Sequence, residues 1–255
     1  MPKIMTSNIR VCSAPDTHYC WNNRRAACID VIHRYAPDLI GFQEMRIEQF
    51  RDLHTAFPEY ATFGTIDEEN GHPLNQIFYR NDRYRLVEGK SYWLSETPDV
   101  LGSKSWASNC VRFANAILLE DQITGDCFRF VNTHLDHISQ LAREKQAEVI
   151  NREISQYPAT LPHILSGDMN CDIINPAMQR LVGGGWKESY QVVHKVEEPG
   201  FTYHDFIGPA FDNSVFGKMD FIFYRGGISP KDATIIKDSV NGMFPSDHYF
   251  VTMDF

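Results

Sequence analysis

The stretch that decides the fold is HILSGDMN, residues 163–170. Its first residues are apolar, and the pentad SGDMN then places a carboxylate at Asp168 and an amide at Asn170, two residues further on. A short apolar run that ends in such side chains is typical of a buried strand in an α/β sheet, where ligands bind at the strand ends. This stretch therefore predicts a strand that leads directly into a polar site.

Two other segments have the same construction, namely IGFQE at residues 40–44 and SDH at residues 246–248. Each combines an apolar neighbourhood with acidic oxygens, a carboxamide or an imidazole. Gathered in one concavity, these groups are what a hard divalent cation and a phosphate ester require. The three segments together predict one polar site built from distant parts of the chain.

Composition limits the class of protein. The chain has 255 residues, 43% of them hydrophobic, and no Ser/Gly/Pro-rich linker divides it, so residues 1–255 are expected to form one domain. The net charge is −9 and no cluster of Lys and Arg is present, which argues against tight binding to duplex nucleic acid. A phosphate substrate stays compatible with this charge, because a bound metal ion would neutralise part of the acidity.

The sequence carries no sign of a membrane span, since no apolar stretch approaches the roughly 18 to 20 residues that crossing a bilayer requires. The first residues, MPKIM, lead straight into a strand-like segment. A cytoplasmic location is therefore predicted, with a removed leader left open. The six cysteines contain no C-x-x-C pair, so neither zinc spacing nor a redox motif is indicated.

Strand-like and helix-like patterns alternate along the chain. Strands are predicted at 3–9, 39–42, 76–79, 85–94, 114–119, 128–133, 163–165, 221–224, 233–236 and 249–253, and helices at 22–35, 46–57 and 139–154. Two strand-rich regions are separated by the long helix at 139–154. This order predicts two packed sheets with helices on the outside.

Six blocks of this sequence occur in the order found in the endonuclease/exonuclease/phosphatase superfamily, which the chain resembles from residue 6 to residue 248. They are TSNIR (6–10), IGFQE (40–44), NTHLD (132–136), LSGDMN (165–170), KMDFI (218–222) and SDH (246–248). A single Gly-Asp-x-Asn would be weak evidence, whereas six ordered blocks are specific. The resemblance implies a DNase I-like fold, a four-layer α/β/β/α sandwich of two packed mixed β-sheets flanked by helices.

The same resemblance implies a metal-dependent phosphoesterase with Mg²⁺ as cofactor and Mn²⁺ as its substitute. The implied metal ligands are Glu44 and Asp247. The implied catalytic residues are Asp168 as the group that deprotonates water, Asn170 and His134 as donors to phosphate, Asn8 as the residue that orients a metal-bound water or holds the phosphate, and the pair His248 and Asp220.

His248 follows Asp247 directly, but these two side chains are not expected to pair. If residues 246–249 lead into a strand, adjacent side chains point to opposite sides. The family pattern assigns the carboxylate partner of His248 to Asp220 instead. Such a pair raises the imidazole pKa and keeps a positive donor near the charge that develops in the transition state.

The subfamily is indicated by departures from other branches. Apurinic-site repair enzymes follow Gln-Glu with Thr-Lys, and inositol polyphosphate 5-phosphatases carry Cys-Asp-Arg where this chain has Met219-Asp220-Phe221. The chain is more similar to deadenylase-type exonucleases and bacterial members. This favours a phosphodiesterase or 3′-5′ exonuclease-like hydrolase. A small-molecule phosphomonoesterase, a phospholipid phosphodiesterase and a non-catalytic binding protein on the same scaffold remain alternatives.

Three residues are candidates for substrate contact, namely Trp93, Trp106 and Arg112. Aromatic rings stack on bases, and an arginine clamps phosphate. The expected partner is a phosphate ester, with single-stranded nucleic acid or a nucleotide as candidates. The sequence does not indicate an oligomeric state, because it contains no heptad pattern.

Overall fold

The computed structural model describes residues 1–64, 74–196, 200–214 and 217–255. The strands in this part of the chain are β1 (Lys3–Asn8), β2 (Leu39–Gln43), β3 (Tyr60–Phe63), β4 (Ile77–Arg80), β5 (Tyr84–Trp93), β6 (Phe113–Asp121), β7 (Cys127–His134), β8 (His163–Asp168), β9 (Lys187–Glu188), β10 (Asp220–Arg225), β11 (Asp232–Ile236) and β12 (Phe250–Asp254). The α-helices are α1 (Trp21–Tyr35), α2 (Ile47–Ala56), α3 (Gln140–Ile154), α4 (Pro176–Gly183) and α5 (Ser189–His194).

The strands form two six-stranded mixed sheets. The first has the order β11-β12-β1-β2-β4-β3, and the second has the order β5-β6-β7-β8-β10-β9. In each sheet one central pair is parallel, β1 with β2 and β7 with β8, and the other main pairs run antiparallel. The carboxyl ends of four central strands therefore lie at one edge of the two sheets, which is where a ligand site is expected.

Three buried apolar clusters define four layers. One cluster joins α1 and α2 to the first sheet, one lies between the two sheets, and one joins α3 and α4 to the second sheet. Strand β1 shows how the sequence achieves this, because Ile4 belongs to the central cluster while Met5 faces the helices. Alternate side chains of a strand point to opposite faces. The predicted four-layer sandwich is confirmed.

The long helix α3 begins where the sequence predicts, since the side chain of Ser139 caps it by accepting a hydrogen bond from the Ala142 backbone N–H. The sequence prediction missed β3, α4, β9 and α5. These elements are two to eight residues long, and such short segments carry too few apolar repeats for a periodicity to stand out. Among the described residues, no helix is both long and apolar enough to cross a membrane.

A buried polar bridge holds the two sheets together beneath the site. Gln43 at the end of β2 donates to Asn132 of β7 over 2.6 Å, and Asn132 donates to the carbonyl of Phe42 over 2.8 Å. The bridge needs a glycine at position 41, because a Cβ there would lie 2.4 Å from the side-chain oxygens of Asn132 and Ser166. This close approach brings the end of β2 against the ends of β7 and β8.

A buried ion pair anchors the segment before β10. Lys218 Nζ lies 2.5 Å from Glu188 Oε1, and each side chain is 1% exposed. Burying two charges is costly unless they pair, so this contact fixes the chain two residues before Asp220. Asp220, the first residue of β10, lies opposite Asp168 of β8.

Candidate active site

The predicted site residues converge at the edge where the parallel strand pairs end. Asn8 ends β1, and Glu44 directly follows β2. On the second sheet His134 and Asp168 are paired partners at the ends of β7 and β8. The strand-end positions that the sequence indicated are therefore brought together by the topology of the two sheets.

These strand ends open into a cavity of about 690 Å³. Seven of the predicted residues line it, namely Glu44, Arg112, His134, Asp168, Asn170, Asp247 and His248. Asn8 and Asp220 are buried and hydrogen-bonded to members of that group. The remaining lining residues include the cations Arg10 and Arg143, together with His137 and Tyr203.

Asn8 links two carboxylates. Its Oδ1 accepts from the Arg10 backbone N–H over 3.0 Å, which identifies the other amide atom as nitrogen. That Nδ2 donates to Glu44 over 3.2 Å and to Asp168 over 2.9 Å. In this arrangement Asn8 positions the two carboxylates. Its predicted contact with phosphate or a metal-bound water stays a prediction.

Glu44 has the geometry of a cation ligand. Its backbone φ is +61°, a left-handed conformation that non-glycine residues rarely adopt and that is concentrated at functional sites. Atoms of Glu44, His134 and Asp168 lie within 4.8 Å of one another. Each Glu44 oxygen accepts a single hydrogen bond, from Asn8 or from the Val11 backbone, and keeps a lone pair. This oxygen-rich set fits a hard divalent cation.

His134 and Asn170 are joined by a hydrogen bond whose direction can be assigned. Asn170 Nδ2 donates to the carbonyl of Leu135 over 2.9 Å, so the atom 2.7 Å from His134 Nε2 is also a donor nitrogen. His134 Nε2 is then the acceptor of a neutral ring. Burial lowers the pKa of His134 well below its usual value, and Arg112 lowers it further. These contacts use Nδ2 of Asn170 and Nε2 of His134 within the protein, and the predicted donation from both residues to a phosphate oxygen stays a prediction.

Asp168 is a buried carboxylate whose pKa departs from its usual value. Burial and the nearby carboxylate of Asp220 raise its pKa to about 7, against the opposing effect of His248. Its Oδ1 accepts from the Asn170 backbone N–H over 2.8 Å, which makes the turn that presents the side chain. A carboxylate poised near neutral pH is suited to accept a proton from water.

His248 is held by Asp220, as the sequence predicted. Its Nδ1 lies 2.8 Å from Asp220 Oδ2, and its Nε2 lies 4.0 Å from Asp168 Oδ2. Burial alone would lower the pKa of His248, but Asp220, Asp168 and Asp247 raise it well above its usual value. The ring is therefore a positively charged donor in the cavity wall. The neighbouring Asp247 accepts from Ser246 over 3.1 Å instead.

Arg10 is a cavity residue that the sequence prediction did not single out. It makes a bidentate contact with Asp16, with both distances 3.0 Å, and its Nε lies 3.5 Å from Asp247 Oδ2. It therefore places a fixed positive charge beside the predicted metal ligand Asp247. The signal was present in the block TSNIR, where Arg10 follows Asn8 by two residues.

The two tryptophans proposed as substrate contacts lie away from the cavity, which corrects that assignment. Trp93 is 9% exposed and packs against Phe113 at a ring distance of 6.2 Å. Trp106 is partly buried and packs against the cluster beneath α3 and α4. Trp106 therefore fills apolar space at the outer face of the second sheet, whereas Trp93 packs at the end of β5 beside Phe113. Of the three proposed contacts, Arg112 alone lines the cavity.

Asp136 organises the wall that carries Arg112 and His137. Its Oδ2 accepts from the Ser108 hydroxyl and the Asn109 N–H, over 2.8 and 2.7 Å. Its Oδ1 accepts from two further backbone N–H groups, those of residues 138 and 139. Burial alone would raise the pKa of Asp136, but these donors hold it at about 2.

Replacing Asp136 by Asn is expected to lower the free energy of unfolding at pH 7 by about 2 to 4 kcal/mol, because an amide cannot accept all these hydrogen bonds. The folded-state pKa of Asp136 is depressed, so its contribution is complete above pH 4 and is lost as the pH falls toward 2. Urea unfolding of both proteins at pH 7, 5 and 3 measures this difference. The exposed Asp126→Asn variant is the control. A wild-type advantage that grew on acidification would contradict the assignment.

A four-layer sandwich with an acidic, oxygen-rich cluster beside an Asp–His pair defines the class of metal-dependent phosphoesterases. The chain matches the endonuclease/exonuclease/phosphatase family over residues 5–248 and belongs to that family. Enzymes of this family are phosphoesterases and are typically dependent on a divalent metal.

Solved structures and a curated relative agree with this assignment. An endonuclease/exonuclease/phosphatase from Bacteroides vulgatus is 29% identical, with a TM-score of 0.90 over 99% of this chain and 97% of that one. A mannosyl-6-phosphatase from Bacteroides thetaiotaomicron is 28% identical, with a TM-score of 0.89 over 100% and 99%. Nocturnin of Drosophila melanogaster is 25% identical over 184 residues, which span 66% of this chain and 27% of the fly protein.

Proposed function

We propose that this protein catalyses the Mg²⁺-dependent hydrolysis of a small phosphate monoester by in-line attack of water. The observation that carries the proposal is the position of Asp168. Its carboxylate lies between Asn8, at 2.9 Å, and the imidazoles of His134 and His248, at 3.3 and 4.0 Å. A proton acceptor and a charged donor thus face the same space at one end of the cavity.

In this proposal each residue of the chain has a separate task. Asp168 accepts the proton of the attacking water, and the raised pKa of its carboxyl makes that transfer favourable near neutral pH. His248, oriented by Asp220, donates to a phosphate oxygen as negative charge develops there. Asn8 holds Asp168 in place.

Glu44 and Asp247 would hold the cation, with Mn²⁺ as a substitute for Mg²⁺. When bound, the cation would neutralise charge on the phosphate oxygens. Arg10 stands beside Asp247, and the charge of Arg112 acts on His134, so both arginines add positive charge to the cavity that would hold a bound anion. We propose Arg112 as a contact to the substrate.

A small substrate is favoured over a polymer by three observations. The net charge is −9, the cavity of about 690 Å³ is suited to a small molecule, and a 28% identical protein of the same fold is a mannosyl-6-phosphatase. The 3′-5′ exonuclease-like activity that the sequence favoured stays a prediction, as do the phospholipid and non-catalytic alternatives.

One assay series tests these candidates. Purified protein with Mg²⁺ is given mannose 6-phosphate, adenosine 5′-monophosphate, a single-stranded oligoadenylate and sphingomyelin, and phosphate or nucleotide release is measured. We expect the phosphomonoesters to be hydrolysed with a kcat/KM at least about tenfold above the oligoadenylate, because the polymer brings many charges against an acidic surface. Preferential release of nucleotides from the oligoadenylate would replace this proposal by the exonuclease. Failure with every substrate would refute hydrolysis.

A further inference from the structure

The wall of the cavity also carries Arg112, His137 and Arg143, and Arg112 contacts His137 there. Arg112 immediately precedes β6, His137 follows β7, and Arg143 lies in the first turn of α3. We refer to these three residues as the cationic wall.

Neither arginine of the cationic wall is neutralised. Within the described residues, no carboxylate oxygen lies within 4.0 Å of Arg112 or Arg143, and the buried Nε of each has no hydrogen-bond partner. By contrast, Arg10, which lines the same cavity, is paired with Asp16 at 3.0 Å. Unpaired guanidinium groups at a cavity wall are unusual in a chain with a net charge of −9.

Local contacts hold both guanidinium groups in place. Arg143 Nη1 donates to the carbonyl of Asp136 over 2.9 Å, and its Nη2 donates to Gln140 over 2.8 Å. Arg112 Nη2 donates to His137 Nδ1 over 3.2 Å. Burial lowers the pKa of His137, and Arg112 lowers it further, so this ring is a neutral neighbour. Three N–H groups of Arg143 remain unused by these contacts.

Building on the proposed function, we propose that the cationic wall binds a second phosphate group of the substrate, with Arg143 as the main specificity residue. The scissile phosphate would occupy the end lined by Glu44, Asp168 and His248, and the sugar or nucleoside would span the cavity. The preferred substrate class is then a bisphosphorylated small molecule. Charge-assisted contacts from a guanidinium to phosphate supply the selectivity.

The test compares substrate pairs that differ by one phosphate, namely mannose 6-phosphate with mannose 1,6-bisphosphate and adenosine 5′-monophosphate with adenosine 3′,5′-bisphosphate. In the wild-type protein we expect kcat/KM for one bisphosphate or both to exceed that of its monophosphate by at least about tenfold. In Arg143→Met protein this ratio falls by about tenfold, mainly through KM. The Arg180→Met protein, altered at an exposed residue of the neighbouring α4, keeps the wild-type ratio.

A binding measurement makes the inference independent of turnover and of the fold of a variant. Isothermal titration of the wild-type protein in EDTA is expected to show a bisphosphate bound at least about tenfold more tightly than its monophosphate. Hydrolysis without any preference for bisphosphates, or an unchanged ratio in folded Arg143→Met protein, would overturn the second site. Preferential binding without hydrolysis of any ester would instead refute the proposed function and leave the second site standing.

Discussion

Replacement of Asp168 by Asn is expected to lower kcat by a factor of about 10³ or more, because the site loses its proton acceptor while its shape is kept. The same substitution is expected to leave the melting temperature unchanged or to raise it. The pKa of Asp168 is raised by burial and by the nearby carboxylate of Asp220, so a neutral amide at this position removes an unfavourable buried charge. Steady-state kinetics and thermal unfolding of the same preparation measure both effects.

A lower kcat together with a higher melting temperature would show that Asp168 is needed for catalysis and that its carboxylate destabilises the fold. Asp126→Asn is the matched control, since this exposed carboxylate lies in the turn between β6 and β7. We expect it to retain wild-type values for both measurements. If folded Asp168→Asn protein turned over substrate at the wild-type rate, the proton acceptor would have to be sought elsewhere in the cavity.

Removal of the divalent cation with EDTA is expected to abolish hydrolysis, and added Mg²⁺ or Mn²⁺ is expected to restore it. Glu44→Gln protein is expected to lose activity by a factor of about 10² to 10³ and to need more metal for what remains, because an amide oxygen carries no full charge. A second readout does not depend on turnover. Saturating Mg²⁺ should raise the melting temperature of the wild-type protein and have little effect on that of Glu44→Gln.

The control for this experiment is Glu59→Gln, which changes a carboxylate between α2 and β3, outside the residues that line the cavity. It is expected to behave as the wild type in activity and in metal-induced stabilisation. Full activity of the wild-type protein in EDTA would show that the acidic cluster serves another purpose. An unaltered metal response in Glu44→Gln would move the cation to a different set of ligands.

Much of the architecture could be predicted from local patterns. Long segments such as α3 and β7 have enough apolar repeats to identify their type and approximate bounds. The resemblance to the family also implied the pairing of His248 with Asp220, and the structure places these two side chains 2.8 Å apart. Short elements such as β9 and α5 were missed, since they are held by tertiary packing and carry little signal of their own.

The cationic wall was harder to predict. Arg112 was expected to contact substrate and does line the cavity, but Trp93 and Trp106 were grouped with it and pack elsewhere. The three residues are neighbours along the chain, and sequence proximity does not show which face of a loop a side chain occupies. Arg143 lines the cavity from α3, which lies further along the chain than the other two residues of the wall. Its hydrogen bond to the carbonyl of Asp136 holds the side chain there.

The sequence by itself determined which kinds of side chain form the site. Carboxylates, amides and imidazoles that follow apolar runs mark where the strands end and which functional groups lie at those ends. Only the tertiary structure decided what each group does. Whether Asp168 is a proton acceptor depends on burial beside Asp220. Whether Arg143 is an unpaired cation depends on where the carboxylates lie, and within the described residues no carboxylate oxygen lies within 4.0 Å of it. Protonation and pairing are set by neighbours in space, and those neighbours come from segments that the chain order keeps far apart.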